Sequence, residues 1–265
     1  MNDLVRHSLS ARSRLLPGVH DLLWRWAPKH PLPMRAVFDR CWLLTFRVEV
    51  AALAAQLPPG TEPWVFDGSA WLSVVVARMS DMRPTFLPRL LGVPFDQVVY
   101  RAVVVRDGVR GVVFLRTEAN HRLYAWGGDL LTHFHFHYAP IRFTAEGDRT
   151  TVVVEQPGSA AFAATFDAGV DEATVLAHTP FTDRDALRAE LCDLFHAYSV
   201  HPRTGVPGQV TVQRSDWGIR LVQPRDVHAP WMTEVLFPGQ CSVSHGVVVD
   251  DVPYRWTAMH RRPER

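Results

Sequence analysis

Lysine is almost absent from this sequence. Lys29 is the only one, whereas lysine and arginine together number 28. Arginine cannot form the imine that a lysine amine forms with a carbonyl substrate. Covalent amine catalysis is therefore restricted to a single residue of this chain.

Cysteine and long apolar runs are scarce as well. Cys41, Cys192 and Cys241 are odd in number, widely spaced and never arranged as C-x-x-C, which argues against a disulfide framework or a structural zinc site and favours a reducing compartment. No apolar run of about 18 residues could span a bilayer, and Met1–Leu16 lacks the apolar core of a secretory signal. We therefore expect a soluble, cytoplasmic protein that does not contact membranes.

Neither charge nor motif indicates a nucleic-acid or nucleotide partner. The net charge is +1, so electrostatics gives no reason to expect nucleic acid. The sequence has no G-x-x-x-x-G-K-[ST], G-x-G-x-x-G, G-x-S-x-G or H-E-x-x-H motif. Ser242, Ser244 and His245 resemble a nucleophile–base cluster, but strand neighbours face opposite sides, which argues against that interpretation.

What the sequence does contain is a succession of strand patterns. Residues 1–35 are interpreted as a helical appendage with a short helix at His20–Trp26, and residues 36–265 as a single domain. Apolar, β-branched segments separated by turns predict many strands, and Asp107-Gly108 predicts a tight hairpin. Thr182 is predicted to cap a helix that extends to Phe195. The fold class is therefore mainly β, with few helices.

Three histidines alternate with aromatic residues between His133 and Tyr138. A strand there would place His133, His135 and His137 on one face, with successive members about 7 Å apart. Such a row could line a pocket as acid–base groups, hydrogen bond within the scaffold, or give two ligands to a metal. Because the outer two are too far apart to share a metal on a flat strand, we expect no metal and no cofactor.

Among the arginines within apolar segments that read as strands are Arg101 and Arg116. A guanidinium buried in such a strand needs a compensating carboxylate, either from the protein or from an anionic ligand. Structural pairing and recognition of a carboxylate ligand are therefore both open for each of them.

The order of several segments resembles a known family. Leu57–Glu62 (LPPGTE) and Phe66–Ser73 (FDGSAWLS) are followed by Pro94–Val98 (PFDQV) and, much later, by Val227–Trp231 (VHAPW). From about residue 36 onward, this pattern resembles the bacterial DUF2071 family, also called YqjF-like, of the acetoacetate decarboxylase-like superfamily. The resemblance implies a closed, cone-like, mostly antiparallel β-barrel with a central pocket.

The same resemblance implies where a site would lie and which chemistry is missing. The Schiff-base lysine of the decarboxylase would fall near Tyr138-Ala139 and its supporting glutamate near Gln97, and this chain has neither residue there. A Schiff-base acetoacetate decarboxylase is therefore not expected. The pocket candidates are Gln97, Arg101, Arg116 and Tyr138 for ligand binding, and His135, His137 and Tyr138 for catalysis.

Three functions remain open from the sequence. The first is a binding protein whose pocket holds a small anionic or carbonyl-bearing organic molecule, such as a carboxylate. The second is an enzyme that uses His/Tyr acid–base chemistry on a keto or carboxylate compound. The third is a metal-dependent enzyme built on the histidine row. The absence of the lysine removes one mechanism without supplying another, which favours binding.

Overall fold

The computed structural model describes residues 29–156, 161–200, 207–215 and 217–261, and these residues are mainly β. The strands, in chain order, are β1 Met34–Val48, β2 Glu62–Pro63, β3 Val65–Phe66, β4 Ser69–Pro84, β5 Val93–Arg106, β6 Val109–Ala119, β7 Phe136–Tyr138, β8 Ile141–Glu146, β9 Arg149–Val154, β10 Phe162–Asp167, β11 His196–Val200, β12 Pro207–Arg214, β13 Arg220–His228, β14 Cys241–Trp256 and β15 His260–Arg261. The helices are α1 Val50–Ala54, α2 Arg122–Leu131, α3 Glu172–Leu176 and α4 Arg184–Leu187, with a 3₁₀ turn at Arg89–Leu91 and π-helical turns at Arg188–Cys192 and Trp231–Leu236. The predicted helix at His20–Trp26 lies outside the described residues.

The strands pair in the order β15-β12-β11-β6-β5-β4-β1-β14-β13-β10-β9-β8. A further pairing joins β12 to β14, so that seven strands (β1, β4, β5, β6, β11, β12 and β14) are connected in a cycle. Most pairings are antiparallel, but β6 pairs with β11 and with β7 in parallel. Strands β8, β9 and β10 continue the sheet beyond this cycle through β13.

The predicted hairpin is confirmed at the turn between β5 and β6. Asp107 and Gly108 have φ angles of 50° and 75°, the positive values that a tight hairpin turn requires. Asp250-Asp251 interrupts an apolar segment of the sequence, but it forms no turn between strands, because β14 continues through it as a single strand. Asp251 takes a φ of 55°, and β14 keeps its register with β1 on both sides of it.

The long strands bury residues on both faces. The inner face is defined here as the side of β1, β4, β5 and β14 that carries Leu43, Val75, Val99 and Val247, which belong to one buried cluster with residues of β12, α2 and the α4 segment. The outer face is the opposite side of the same strands, and it packs in a second buried cluster against β8, β9, β10 and the Trp231 turn. A polar side chain on either face is therefore withdrawn from water.

The interpretation of His133–Tyr138 as one regular strand is wrong. Only Phe136–Tyr138 and Ile141–Glu146 are strands, and His135 takes a φ of 52°. A left-handed residue interrupts the alternation of a strand, so the three histidines do not share one face. Their backbone follows α2 directly and joins β6 through a short parallel pairing.

The predicted helix near Thr182 exists but is shorter and begins one residue later. Asp183 is the N-cap, because its Oδ1 accepts a hydrogen bond of 2.8 Å from the Ala186 amide. The helix continues through a π-helical turn to Cys192, so Leu194 and Phe195 lie beyond its end. In the part of the chain that the structure describes, no helix combines the length and the apolar character needed to cross a membrane.

Candidate functional site

Four polar residues lie side by side across the inner face. Arg101 on β5 is opposite Ser73 on β4, Ser73 is opposite Thr45 on β1, and Thr45 is opposite His245 on β14. Directly opposite residues of antiparallel strands point to the same face, about 5 Å apart. All four are buried among apolar neighbours. We call this set (Arg101, Ser73, Thr45 and His245) the inner polar row.

Three members of the inner polar row have polar atoms that are buried without a hydrogen bond to any described residue. They are Nε and Nη2 of Arg101, Oγ of Ser73 and Nε2 of His245. A buried polar group without a partner costs about 1–3 kcal/mol. Three of these four adjacent strands therefore bear this cost on the same face, which is the pattern expected where a ligand completes the hydrogen bonding.

Arg101 is the charged member of the row, and it has no carboxylate partner among the described residues. Burial lowers the pKa of the Arg101 guanidinium, and the nearby charge of Arg214 lowers it further. The opposing effect comes from Tyr254, Cys192 and Cys41. A phenol and two thiols are neutral near pH 7, so none of them balances a guanidinium. The surroundings of Arg101 thus contain no anion among the described residues.

The neighbouring Arg214 is compensated by the protein. Its Nη2 lies 2.6 Å from Oδ1 of Asp193, and its guanidinium stacks 3.7 Å from the ring centroid of Trp217. Asp193 also accepts hydrogen bonds from Arg188 and from the Trp217 indole. Asp193 is therefore committed to its own network.

His245 is held by a local irregularity of β14. The pairing of β1 with β14 shifts by one residue next to Thr45, and Ser244 Oγ lies 3.0 Å from His245 Nδ1. The expectation that Ser244 and His245 face opposite sides is therefore wrong, because β14 is not a regular strand at this point. The imidazole is packed near Trp71 and Phe181. Burial, reinforced by Arg47, lowers the pKa of His245 to about 3, so its ring is neutral near pH 7.

Arg116 lies on the outer face and is paired. Its Nε donates to Glu118, a fully buried carboxylate, and its Nη2 donates to Gln156 Oε1 at 2.9 Å. Gln156 in turn donates to Glu118 at 2.7 Å, and the Arg116 guanidinium lies 5.5 Å from the Trp231 ring. We call Arg116, Glu118, Gln156, Trp231 and the adjacent Tyr100 the outer cluster. The sequence-predicted candidates Arg101 and Arg116 are therefore on opposite faces.

The other predicted ligand-binding residues are not gathered around Arg101. Gln97 is half-buried on the inner face, four positions before Arg101 on β5, which corresponds to about 13 Å along a strand. Tyr138 is exposed at the parallel pairing with Ala119, and the Arg122 guanidinium lies 4.7 Å from its ring centroid. No described contact links Tyr138 to the inner polar row.

The predicted catalytic histidines also lie apart from the row. His137 is opposite Glu118 on the neighbouring strand, which associates it with the outer cluster. His135 is half-buried, and burial, together with Arg116 and Lys29, lowers its pKa to about 4. The third member of the histidine pattern, His133, lies 3.3 Å from Ser199 Oγ through Nδ1.

Lys29 is buried. Its Nζ donates a hydrogen bond of 2.6 Å to the Leu130 carbonyl at the end of α2. Burial lowers the pKa of Lys29 to about 8, against the opposing charge of Asp129. The adjacent His30 is buried beside Phe134, with ring centroids 5.1 Å apart. The single amine is thus fixed at the end of α2, with no described contact to Arg101.

The predicted site residues belong to no group of possible metal ligands among the described residues and do not line the groove at Arg40 and Trp42. Within residues 29–156, 161–200, 207–215 and 217–261, no three His, Cys, Asp or Glu side chains are grouped to hold a metal ion. An open groove of about 680 Å³ lies on the outer side, away from all predicted site residues. It is lined by Asp39, Arg40, Trp42, Arg78, Phe143 and Asp250, among others.

Sequence reasoning named Arg101 as a candidate, did not name Ser73 or Thr45, and considered His245 only together with Ser242 and Ser244. Thr45, Ser73 and His245 each interrupt an otherwise apolar strand, as in WLLTF, AWLSVVV and SHGVVV. That signal was available in the sequence. The register that aligns the three interruptions with Arg101 was not, because it depends on pairing between strands far apart in the chain.

Comparison with known proteins agrees with this architecture. The model of the DUF2071 family, described as an uncharacterized conserved protein, matches residues 35–248. The uncharacterized protein YqjF of Bacillus subtilis is 26% identical over 172 residues, which are 63% of this chain and 68% of YqjF.

Solved structures with the same fold are enzymes with low sequence identity to this chain. Acetoacetate decarboxylase from Legionella pneumophila superposes with a TM-score of 0.63 at 13% identity, covering 88% of each chain. The enduracididine biosynthesis enzyme MppR complexed with pyruvate gives a TM-score of 0.60 at 15% identity, covering 89% of this chain and 91% of MppR. At such identities the likeness establishes the fold alone. Because the family model covers most of its length, this chain belongs to the DUF2071 family, with an acetoacetate decarboxylase-like fold.

Proposed function

We propose that this protein binds a small organic carboxylate on its inner face, with Arg101 as the anchor. The observation that carries the proposal is the buried Arg101 guanidinium, which has two nitrogen atoms without a hydrogen bond to any described residue. A carboxylate ligand would supply two charge-assisted hydrogen bonds and the missing negative charge.

The proposal includes the architecture around Arg101. We infer that the cycle of seven strand pairings forms a closed, cone-like barrel whose inner face is the wall of the binding site. Arg101 would then project into the barrel from β5. The MppR structure with pyruvate, a small oxocarboxylate, is consistent with a ligand of this kind in a protein of this fold.

An acid–base enzyme built on His135, His137 and Tyr138 has less support. These side chains neither converge on one another nor approach the inner polar row by any described contact. A low pKa keeps His135 neutral near pH 7. Of the two cations that act on it, Arg116 lies on the outer face and Lys29 lies at the end of α2, so neither places His135 beside Arg101. We therefore favour binding without chemistry at those residues.

The test adds pyruvate, acetate or butanoate to the full chain. The melting temperature and the native mass spectrum are then measured with and without each compound. Binding to the native state alone raises the melting temperature as the ligand concentration exceeds Kd. We expect at least one carboxylate to stabilise the wild type and to lose this effect in Arg101→Leu. The matched control is Arg149→Leu, which removes a guanidinium that is largely exposed and paired with Asp167. Equal carboxylate-induced shifts in wild type and Arg101→Leu would overturn the proposal.

A further inference from the structure

The inner polar row extends well beyond Arg101. Ser73 is fully buried on the neighbouring strand, and His245 is fully buried two strands further on, with Thr45 between them. Ser73 Oγ and His245 Nε2 lack hydrogen bonds to described residues just as Arg101 does. The row therefore presents unsatisfied polar atoms at a charged end and at an uncharged end.

The two ends lie too far apart for one small group to reach both. Strands are spaced about 4.8 Å apart, so three spacings put the Cα atoms of Arg101 and His245 about 14 Å apart along a flat sheet. Curvature of the sheet shortens this distance. The side chains also have different surroundings, since Arg101 extends towards Cys41 and Cys192 whereas His245 faces Trp71 and Phe181. A ligand that contacts both ends must therefore be an extended molecule.

The His245 end is suited to an uncharged group. The imidazole is neutral near pH 7, and Ser73 carries no charge, so neither would balance an anion. The nearest cation, Arg47, already lies 3.5 Å from Asp67 and stacks over Trp71 at 5.4 Å. Ser244 occupies His245 Nδ1 and leaves Nε2 for a ligand. A hydroxyl group suits this end of the row, because it carries no charge and can both donate and accept a hydrogen bond.

We propose that Ser73 and His245 form the second half of the binding site, and that the ligand is an extended hydroxycarboxylate. Its carboxylate binds Arg101, and its hydroxyl group, which would lie between Ser73 and His245, hydrogen bonds to Oγ of the first and Nε2 of the second. This inference rests on the proposed function, because it takes Arg101 as the carboxylate anchor. It adds a requirement that Arg101 alone does not impose, namely a preference for a hydroxyl group distant from the carboxylate.

The test compares butanoate, hexanoate and octanoate with the ω-hydroxy derivative of each, by calorimetric titration of the full chain. For at least one chain length, the hydroxyl group is expected to tighten binding to the wild type by about tenfold, the effect of one net hydrogen bond. His245→Phe should keep the affinity for the plain carboxylate and lose that preference. Ser73→Ala should reduce the preference and serves as the second variant if His245→Phe does not fold.

Tyr100→Phe is the matched control, because it removes a buried hydroxyl without a described partner from the outer face of the same strand as Arg101. It should leave the hydroxyl preference unchanged. Carboxylate binding that depends on Arg101 but shows no hydroxyl preference would overturn this inference and leave the proposed function standing. Absence of any carboxylate binding to the wild type would overturn both. Tighter binding of octanedioate than of the ω-hydroxy acid would also overturn the inference, because the second end would then recognise an anion.

Discussion

Arg101 and Arg116 are both buried on neighbouring strands, and the protein treats them in opposite ways. Arg116 lies on the outer face beside a fully buried glutamate and a glutamine that bonds to both. Arg101 lies on the inner face beside thiols and a phenol, with no carboxylate among the described residues. The guanidinium of Arg116 thus has its charge and hydrogen bonds balanced by the scaffold, whereas that of Arg101 does not among the described residues.

The difference teaches that burial of a charge does not by itself mark a site. A paired guanidinium is costly to break but has no capacity left for a ligand. An unpaired buried guanidinium lowers the free energy of unfolding while no ligand is bound. An anion that binds to it in the native state raises that free energy again. The partners of each arginine, rather than its burial, separate scaffold from candidate site.

The largest expected effect is at the outer cluster. Arg116→Leu should lower the free energy of unfolding by about 3–5 kcal/mol, because it leaves Glu118 buried without its cation. Urea unfolding monitored by tryptophan fluorescence measures this loss. The double variant Arg116→Leu/Glu118→Leu should recover most of it, since replacing a whole buried ion pair by apolar residues is often close to neutral. A loss below about 1 kcal/mol in the single variant would contradict the assignment of Arg116 to the scaffold.

The next effect is the acid sensitivity contributed by His245. The pKa of His245 is about 3 in the folded state and near 6.5 in the unfolded chain. Between these values the imidazole is protonated in the unfolded chain and neutral in the native state, so a fall in pH favours unfolding. The contribution is fully present above pH 6.5 and is lost as the pH falls towards 3. The loss should approach about 1.4 kcal/mol per pH unit. His245→Asn should therefore flatten the fall in unfolding free energy between pH 6 and pH 4, as measured by urea titrations at several pH values.

Two other histidines, His30 and His135, also contribute to the acid sensitivity of the fold. Burial lowers the pKa of each to about 4, so both also weaken the fold as the pH falls. His30→Asn is a matched control that should flatten the same curve without changing the preference for an ω-hydroxy carboxylate, because His30 is not part of the inner polar row. An unchanged slope in His245→Asn would show that the inner polar row does not bury a neutral histidine.

Sequence reasoning succeeded where the signal was local. The Asp107-Gly108 turn needs positive φ angles, and the residues on either side of it alternate as strands do, so the hairpin could be read directly. The resemblance in Leu57–Ser73 identified the family, because those residues form a contiguous pattern. The mainly β class followed in the same way from many short patterns.

Sequence reasoning failed where one residue left the regular geometry. His135 was assumed to continue a strand, but its φ of 52° breaks the alternation of the histidine pattern. At His245, a one-residue shift in pairing brought Ser244 to the imidazole, contrary to a rule that holds only for regular strands. The inner polar row depends on the register of four strands that span residues 45 to 245 of the chain. Such register is set by tertiary pairing and leaves no local trace.

Arg101→Leu should have a much smaller effect on stability than Arg116→Leu. It removes a buried charge without stranding a carboxylate, so the unfolding free energy should stay within about 1 kcal/mol of the wild type or rise. The same urea titration, performed without added carboxylate, measures it. A loss of about 3–5 kcal/mol would place Arg101 in the same structural class as Arg116 and would remove the contrast between the two faces.

The smallest expected effects come from the two buried hydroxyls without described partners, Tyr100 on the outer face and Ser73 on the inner face. Tyr100→Phe and Ser73→Ala each remove a hydroxyl that makes no described hydrogen bond, so each should change the unfolding free energy by less than about 1 kcal/mol or increase it. The two variants should then differ in ligand response alone. Ser73→Ala should weaken stabilisation by an ω-hydroxy carboxylate, whereas Tyr100→Phe should leave it intact, because Tyr100 faces Phe162 and Trp231 on the opposite side of the sheet. Thermal denaturation of both variants, with and without ω-hydroxyoctanoate, measures the difference. If Tyr100→Phe loses the ligand response and Ser73→Ala keeps it, the binding site lies in the outer cluster, and the roles of the two faces are reversed.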